Sequence, residues 1–400
     1  MKTLIHNHSG FSTILAISLI PLSGFATDIY LPSLPAMAGD LHVSASAIQL
    51  SLILFMFSTG VSQIFIGSIL DSFGRFKINI ISLAIFSVSS FIIALVPGIY
   101  VLYAMRIIQG VAIAFIVVGK RAYFVDLYTG EKLKHYISLF AIIWACAPII
   151  APFFGGYLQS SFGWRANFYF LALLSFIFLI LELIYSGESL KHSHPFKWKP
   201  ILQTYAGKLR SADFTLALVI LGVCFGLVVI YSLSSPFIIE KVFGHSAVTT
   251  GYSSLLSGLS VLTGGIVAKS LIKKPLAQKV VVAFCIQIGL VTLMIATAPS
   301  FSNSITLVGF TMGIHICGGF IFNNIYGYCL SRFAKNAGVA SGLTGGAMYM
   351  VSSVFSYGFA NLFSVKSQLS LGVANLCLIL LMCALFVIFN RYRKAVVIVT

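Results

Sequence analysis

Twelve stretches of this chain are apolar over about twenty residues each, and they leave room for little but a bundle of membrane-crossing helices. They run roughly 11–34, 47–70, 78–97, 100–124, 136–158, 167–186, 213–239, 248–270, 278–298, 302–330, 338–363 and 369–390. A backbone inside hydrocarbon must satisfy its own N–H and C=O groups, and a helix does so within one segment. Hydrophobic residues make up 59% of the chain and charged residues 8%, a balance that excludes a soluble domain of this length. The first stretch has no small-residue cleavage site after a short apolar core, so it is expected as a retained helix and not a signal peptide.

The net charge of +16 is distributed by loop. With the amino terminus inside, the inner loops and tails hold eighteen Lys and Arg, among them Arg75, Lys77, Lys132, Lys134, Lys273, Lys274, Lys279, Arg391 and Arg393. The outer loops hold three, Arg165, Lys241 and Lys366. This is the positive-inside pattern, so both termini are expected in the cytoplasm and no nucleic-acid partner is needed to explain the charge. The short loops and compact length suit a bacterial cytoplasmic (inner) membrane. Seven cysteines all fall inside apolar spans with no CxxC pair; they read as apolar filler, with no metal site.

The longest polar stretch is 187–212, with Glu188, Lys191, His192, His194, Lys197, Trp198, Lys199, Lys208 and Arg210. It divides the chain into a six-helix bundle over 1–186, a linker, and a second six-helix bundle over 213–400. His192 and His194 read as solvated residues of a basic connector, and Pro195 and Pro200 fit that reading. The Lys and Trp mixture suits the inner headgroup surface. A faint repeat supports duplication: Gly67-Ser-Ile-Leu-Asp71 closes the second span, and Gly265-Ile-Val-Ala-Lys269 closes the eighth, 198 residues later. Duplicated halves place a binding site near the midplane between them.

Inside the first span stands Asp28. An Asp at the centre of a membrane helix costs roughly 2.5–3.5 kcal/mol, so it is expected to face a partner or a wet cavity. A carboxylate whose charge is that costly is a natural proton carrier. The fourth span carries Arg106 at a matching depth, since one span runs outward and the other inward. The two read either as an ion-coupling site or as a structural ion pair.

The loop Gly67–Lys77 is the most specific motif. Gly67 permits close helix approach, Asp71 ends the span, Gly74 permits a tight turn, and Arg75 and Lys77 supply cations. This GxxxDxxGRxK pattern resembles the signature loop of the major facilitator superfamily. The resemblance implies that Asp71 faces the eleventh helix, that Arg75 pairs with Asp126, and that this latch holds the outward-facing state. Arg106-Ile-Ile-Gln109-Gly110 resembles the family's RxxQG motif. Pro148, Pro152, Gly155 and Gly156 partly match its antiporter motif, with Ala151 where Gly is usual. Asp28-Ile-Tyr30-Leu-Pro32-Ser-Leu-Pro35 is similar to the first span of the Bcr/CflA drug-efflux transporters, and Arg121-Ala122, Asp126-Leu-Tyr128 and Ser235-Pro236-Phe237 agree. The resemblance implies an all-α membrane protein of the major facilitator fold. It would have twelve transmembrane helices in two pseudo-symmetric six-helix bundles, with Asp28 as proton site and Arg106 as its partner.

One stripe departs from a drug pump. Arg106, Gln109, Ile113, Val117, Lys120 and Arg121 share a face of the fourth helix. On the tenth span His315, Gly319, Phe322, Asn323 and Tyr326 share another, and the seventh offers Tyr231. Lys120 and Arg121 read either as cavity cations or as side chains reaching for the headgroups. His315 reads either as a satisfied core histidine or as a functional one. If both stripes line a cavity, Tyr30, Gln109, Lys120, Arg121, Tyr231, His315, Asn323 and Tyr326 are the expected solute contacts. Such a site is basic and aromatic. The expected function is proton-coupled export of small molecules by alternating access, a drug or metabolite:proton antiport. The alternative is a narrower carrier of an anionic metabolite, such as a carboxylate siderophore, in either direction. No HExxH, GxSxG, P-loop or Cys/His spacing suggests an enzyme. No cofactor is expected; a proton gradient would supply the energy, although a lone Asp could serve sodium. The expected partners are a small-molecule substrate and the lipid bilayer, with the protein a monomer.

Overall fold

The computed structural model describes residues 9–190, 196, 198–333 and 337–399. Lys2, Lys191, Lys197 and Lys335 of the charge pattern, and His192, His194 and Pro195 of the connector, lie outside the described residues.

The first apolar stretch is broken into α1 (Ser9–Ser18), α2 (Leu22–Asp28), a 3-10 turn (Leu31–Ser33) and α3 (Leu34–Asp40). Proline is the cause. Pro21 stands just before α2, while Pro32 and Pro35 open the turn and α3. A proline has no N–H to continue the helical ladder. The span therefore runs on to Asp40 in pieces, where one helix ending near residue 34 was expected. Five unbroken helices follow: α4 (Ala45–Phe73), α5 (Arg75–Leu95), α6 (Ile99–Leu127), α7 (Gly130–Phe162) and α8 (Arg165–Tyr185). The connector forms α9 (Trp198–Leu209). Then come α10 (Ala212–Phe237), which passes into a π-helical turn (Ile238–Val242), and α11 (Ala247–Ser270). Last come α12 (Leu276–Thr297), α13 (Ser304–Arg332), α14 (Ala337–Leu362) and α15 (Gln368–Val399).

Local chemistry sets the ends. The Ser44 hydroxyl accepts from the Ala47 N–H at the start of α4, and Ser246 does the same for Thr249 at α11. Asn303 and Thr306 form a reciprocal capping box on α13.

Among the described residues, eleven segments are long and apolar enough to cross a membrane, counting the broken first span as one. The sequence count was twelve. The exception is α14, which is a 26-residue helix but carries many Gly and Ser residues. The reason is packing. Thr344, Ser352, Ser353 and Ser356 are buried, and a side chain at Gly222 of α10 would strike Val351. Small residues let membrane helices approach closely. Elsewhere the polarity is inverted relative to a soluble fold. Val88, Leu173, Ile184, Val282 and Val354 are exposed, while Asn167, Ser175 and Gln287 are buried.

The chain forms two compact units, Met1–Ile201 and Leu202–Thr400. In the first, α4 packs on α6, α5 on α6 and α8, and α2 on α7. In the second, α11 packs on α13, α12 on α13 and α15, and α10 on α14. Numbered by span, these are the same pairings, so the faint sequence repeat corresponds to one packing plan used twice.

Gly155 shows how tight the plan is. A Cβ there would overlap the backbone of Ile29, beside the break in the first span. Gly155→Val is expected to cost about 3 kcal/mol through overpacking. It should be read as a lowered unfolding midpoint in detergent, against Gly39→Ala, where a Cβ meets nothing within 4 Å.

Candidate functional site

The break in the first span creates the site. α2 ends at Asp28, and the last carbonyls of a helix have no helical partner. Arg106 of α6 supplies one. Its Nη1 donates to the Ala26 carbonyl at 3.0 Å and to Gln109 Oε1 at 2.8 Å. A cation there also answers the negative end of the helix dipole. Gln109 in turn donates from Nε2 to Ser90 Oγ of α5 at 2.8 Å. The guanidinium carbon lies 4.1 Å from the centre of the Phe55 ring and 4.6 Å from that of Tyr30, two cation–π contacts. The Tyr30 hydroxyl meets Ser51 Oγ at 3.3 Å. Arg106, Gln109 and Tyr30 are fully buried, while Asp28 is half-buried.

Asp28 and Arg106 come within electrostatic reach of each other. They do not form the salt bridge that the sequence spacing suggested, for no ion pair joins them among the described residues. The guanidinium is held instead by Ala26 and Gln109, because the broken helix offers a carbonyl closer than the carboxylate. Among the described residues, Arg106 Nε and Nη2 have no acceptor.

At the end of this unit where the basic loops gather, Arg75 joins two acids. Its Nε donates to Asp126 Oδ2, Nη2 to Asp126 Oδ1 at 3.0 Å, and Nη1 to Asp71 Oδ1 at 2.9 Å. Two further partners were not foreseen. Ser189 Oγ donates to Asp126 at 2.9 Å. The Glu188 carboxylate accepts from the N–H groups of Arg75, Phe76 and Leu190 at 3.0, 3.1 and 2.9 Å. It sits on the positive end of α5, and Gly74, at φ 90°, leaves the space it fills. The available signal was that Glu188 is the one acid of the 187–212 connector. Gly67 needs correction: a side chain there would meet nothing within 4 Å, so it is not the site of a close helix approach. Arg75→Lys keeps the charge and loses the fork. It should lower stability by about 1–2 kcal/mol, and a midpoint equal to wild type would show that the fork contributes nothing.

Lys120 is neither an open cavity cation nor a side chain reaching for the headgroups. It is buried, and its Nζ donates to Glu182 Oε1 of α8 at 2.7 Å. Asn79 Nδ2 donates to the other Glu182 oxygen at 3.3 Å. The stripe on α6 thus faces the interior of its own unit, except for Arg121, which is exposed. Asp126, Asp213 and Glu240 also lie within helical elements. At the opposite end, Asp40 accepts from Trp164 Nε1 at 2.9 Å and Arg165 Nη1 at 2.7 Å, a junction the sequence reading passed over.

Along α7, Pro148 and Pro152 are carried without a break in the helix. Gly24 approaches Ala147 and Pro148, and Gly155 approaches Ile29, so this motif packs against the broken span. Gly156, next in the motif, is buried.

In the second unit, His315 and Tyr231 are buried together, rings perpendicular and 5.5 Å apart. His315 Nδ1 lies 2.8 Å from Ser257 Oγ. The rest of that stripe diverges. Asn323 is exposed and donates back to the Gly319 carbonyl at 2.8 Å, and Tyr326 stacks on Phe322 at 5.8 Å. Buried Asp213, unremarked in the sequence, accepts from the Tyr328 hydroxyl and from Arg332 Nε at 2.7 Å.

Comparison with known proteins follows the same lines. The family model of the Major Facilitator Superfamily matches residues 17–357. The uncharacterized MFS-type transporter YdgK of Bacillus subtilis is 28% identical over 88% of this chain and 90% of its own length. The bicyclomycin resistance protein homolog of Haemophilus influenzae is 23% identical over 97% and 98%. The multidrug resistance protein MdtL of Vibrio parahaemolyticus is 25% identical over 92% and 94%. Among solved structures, the nucleoside transporter NupG aligns with a TM-score of 0.72 at 14% identity, over 95% of this chain and 98% of its own. A D-xylose–proton symporter aligns at 0.67 and 16%, over 93% and 97%. These structures share the fold, and the family is one of transporters, not enzymes. The chain is therefore a multi-pass, all-α membrane transporter that belongs to the major facilitator superfamily, and its relatives are consistent with the Bcr/CflA-type branch that its first span resembles.

Proposed function

We propose that the protein is a proton-coupled antiporter that exports small molecules by alternating access from a bacterial cytoplasmic membrane, with both termini in the cytoplasm. The observation that carries this reading is Asp28. It is half-buried at the break of the first span, beside a fully buried arginine and without an ion-pair partner among the described residues. Such an acid exchanges a proton at a cost its surroundings set, and its charge changes what Arg106 prefers to contact. A shift of conformational balance follows from that difference in binding. Relatives named for bicyclomycin and multidrug resistance support outward movement of small organic compounds. The pH gradient is the energy source, with no cofactor and no second subunit. The Asp71, Arg75, Asp126 and Glu188 cluster holds the outward-facing state.

Everted membrane vesicles with an acid lumen test this. They should accumulate a transported compound, and adding that compound should release lumenal protons. Accumulation that survives collapse of the pH gradient by an ionophore would sink the proposal. A second reading, a carrier of anionic metabolites, is favoured by one feature, the unpaired edge of Arg106.

A further inference from the structure

Arg106 is fully buried, yet two of its nitrogens, Nε and Nη2, lack an acceptor among the described residues. They are not scattered. Nη1 lies on the Cδ side of the group, so the Nε–H and one Nη2–H point the same way and form the side edge of the guanidinium. That edge presents two parallel donors, the geometry that grips both oxygens of a carboxylate. The rest of the group is occupied. Nη1 is held by Ala26 and Gln109, and the rings of Tyr30 and Phe55 lie against the group, their centres 4.6 and 4.1 Å from its carbon. Among the described residues, only the Nε–Nη2 edge is left without an acceptor. A buried cation with unfilled donors is costly until an anion meets it.

We infer that this edge is the seat of a carboxylate, or a like planar oxyanion, on the transported solute. The inference rests on the second, anion-carrier reading above and names the group that would hold its solute. The groups facing Arg106 are Asp28 and Tyr30 from the first span, Phe55 from α4, and Gln109, backed by Ser90 of α5. Of these only Asp28 can carry a negative charge, so when ionised it is the resident competitor for the edge. A solute carboxylate that takes the edge leaves Asp28 without its cation and favours a proton there. When the solute leaves, ionised Asp28 can turn to Arg106. Solute carboxylate on Arg106 and proton on Asp28 are thereby bound together, which is the coupling of the anion-carrier reading and not of antiport.

The test uses the purified full chain in detergent, titrated with benzoate and with benzamide, which has the same shape and no charge. Benzoate is expected to raise the unfolding midpoint and benzamide not to. Arg106→Lys keeps the charge, loses the edge, and should weaken benzoate binding roughly ten- to a hundredfold. Asp28→Asn removes the competitor and should tighten it. Equal shifts with both compounds, or equal benzoate binding by wild type and Arg106→Lys, overturn the proposal. Should Arg106→Lys not fold, unchanged or weaker benzoate binding by Asp28→Asn overturns it alone. Gradient-driven accumulation of a cationic compound with no benzoate binding removes the carboxylate seat and leaves the antiporter. Benzoate binding with no gradient-driven transport does the reverse.

Discussion

Replacing Glu182 with Ala is expected to cost the first unit about 3–5 kcal/mol, because it leaves the Lys120 ammonium buried and alone. The side chains of the pair are 6% and 0% exposed, which places it far from the surface regime where such bridges contribute under about 1 kcal/mol. Lys120→Ala alone should cost a similar amount, leaving the carboxylate with only Asn79. The double variant Lys120→Met with Glu182→Gln should recover most of the loss. It removes both charges, keeps an acceptor for Asn79, and conserves volume. A double-mutant cycle on unfolding midpoints in detergent measures the coupling. A loss below about 1 kcal/mol in either single variant would mean that water reaches the pair and the buried description is wrong. If Lys120 were instead a solute ligand, solute affinity would fall in the double variant although stability had returned.

Asp28→Asn is expected to abolish gradient-driven accumulation in everted vesicles while leaving downhill exchange of solute in place. The amide has nearly the shape of the carboxylate and cannot ionise, so the cycle loses its proton and not its path. Stability should be unchanged or higher, since an ionised Asp in a span costs roughly 2.5–3.5 kcal/mol. Accumulation that persists at the wild-type level would place coupling on another acid. Glu182 is committed to Lys120 and Asp213 to Arg332, which would leave Glu240, half-buried and accepting from Thr250, as the next residue to replace.

The contact of Arg75 with Asp126, 51 residues away, was legible only through the resemblance of the signature loop to its family's, which implies an acid partner at the end of the fourth span. The spans themselves were legible to within a few residues, since hydrocarbon thickness and apolarity set them together. The prolines of the first span were in view, but continuous apolarity hid the breaks they cause, and Asp28 gains its setting from that break. The sequence spaced Asp28 and Arg106 at one depth, yet could not show that Ala26 would hold the guanidinium. Lys120 was misread for a related reason. Helical periodicity says which residues share a face and is silent on what that face meets. Its partner is 62 residues away on another helix. Glu188 looked like part of a solvated connector because nothing in a single chain records that the connector folds back over α5.

The Lys120–Glu182 pair also sets an order on how the chain enters its membrane. The lysine arrives in the fourth span and its acid only in the sixth. Between those events the lipid or the insertion machinery must accommodate an unmatched ammonium, at roughly 2.5–3.5 kcal/mol if it stands near the helix centre. The fourth span is therefore provisional during synthesis, free to slip toward the interface, until arrival of the sixth fixes its depth.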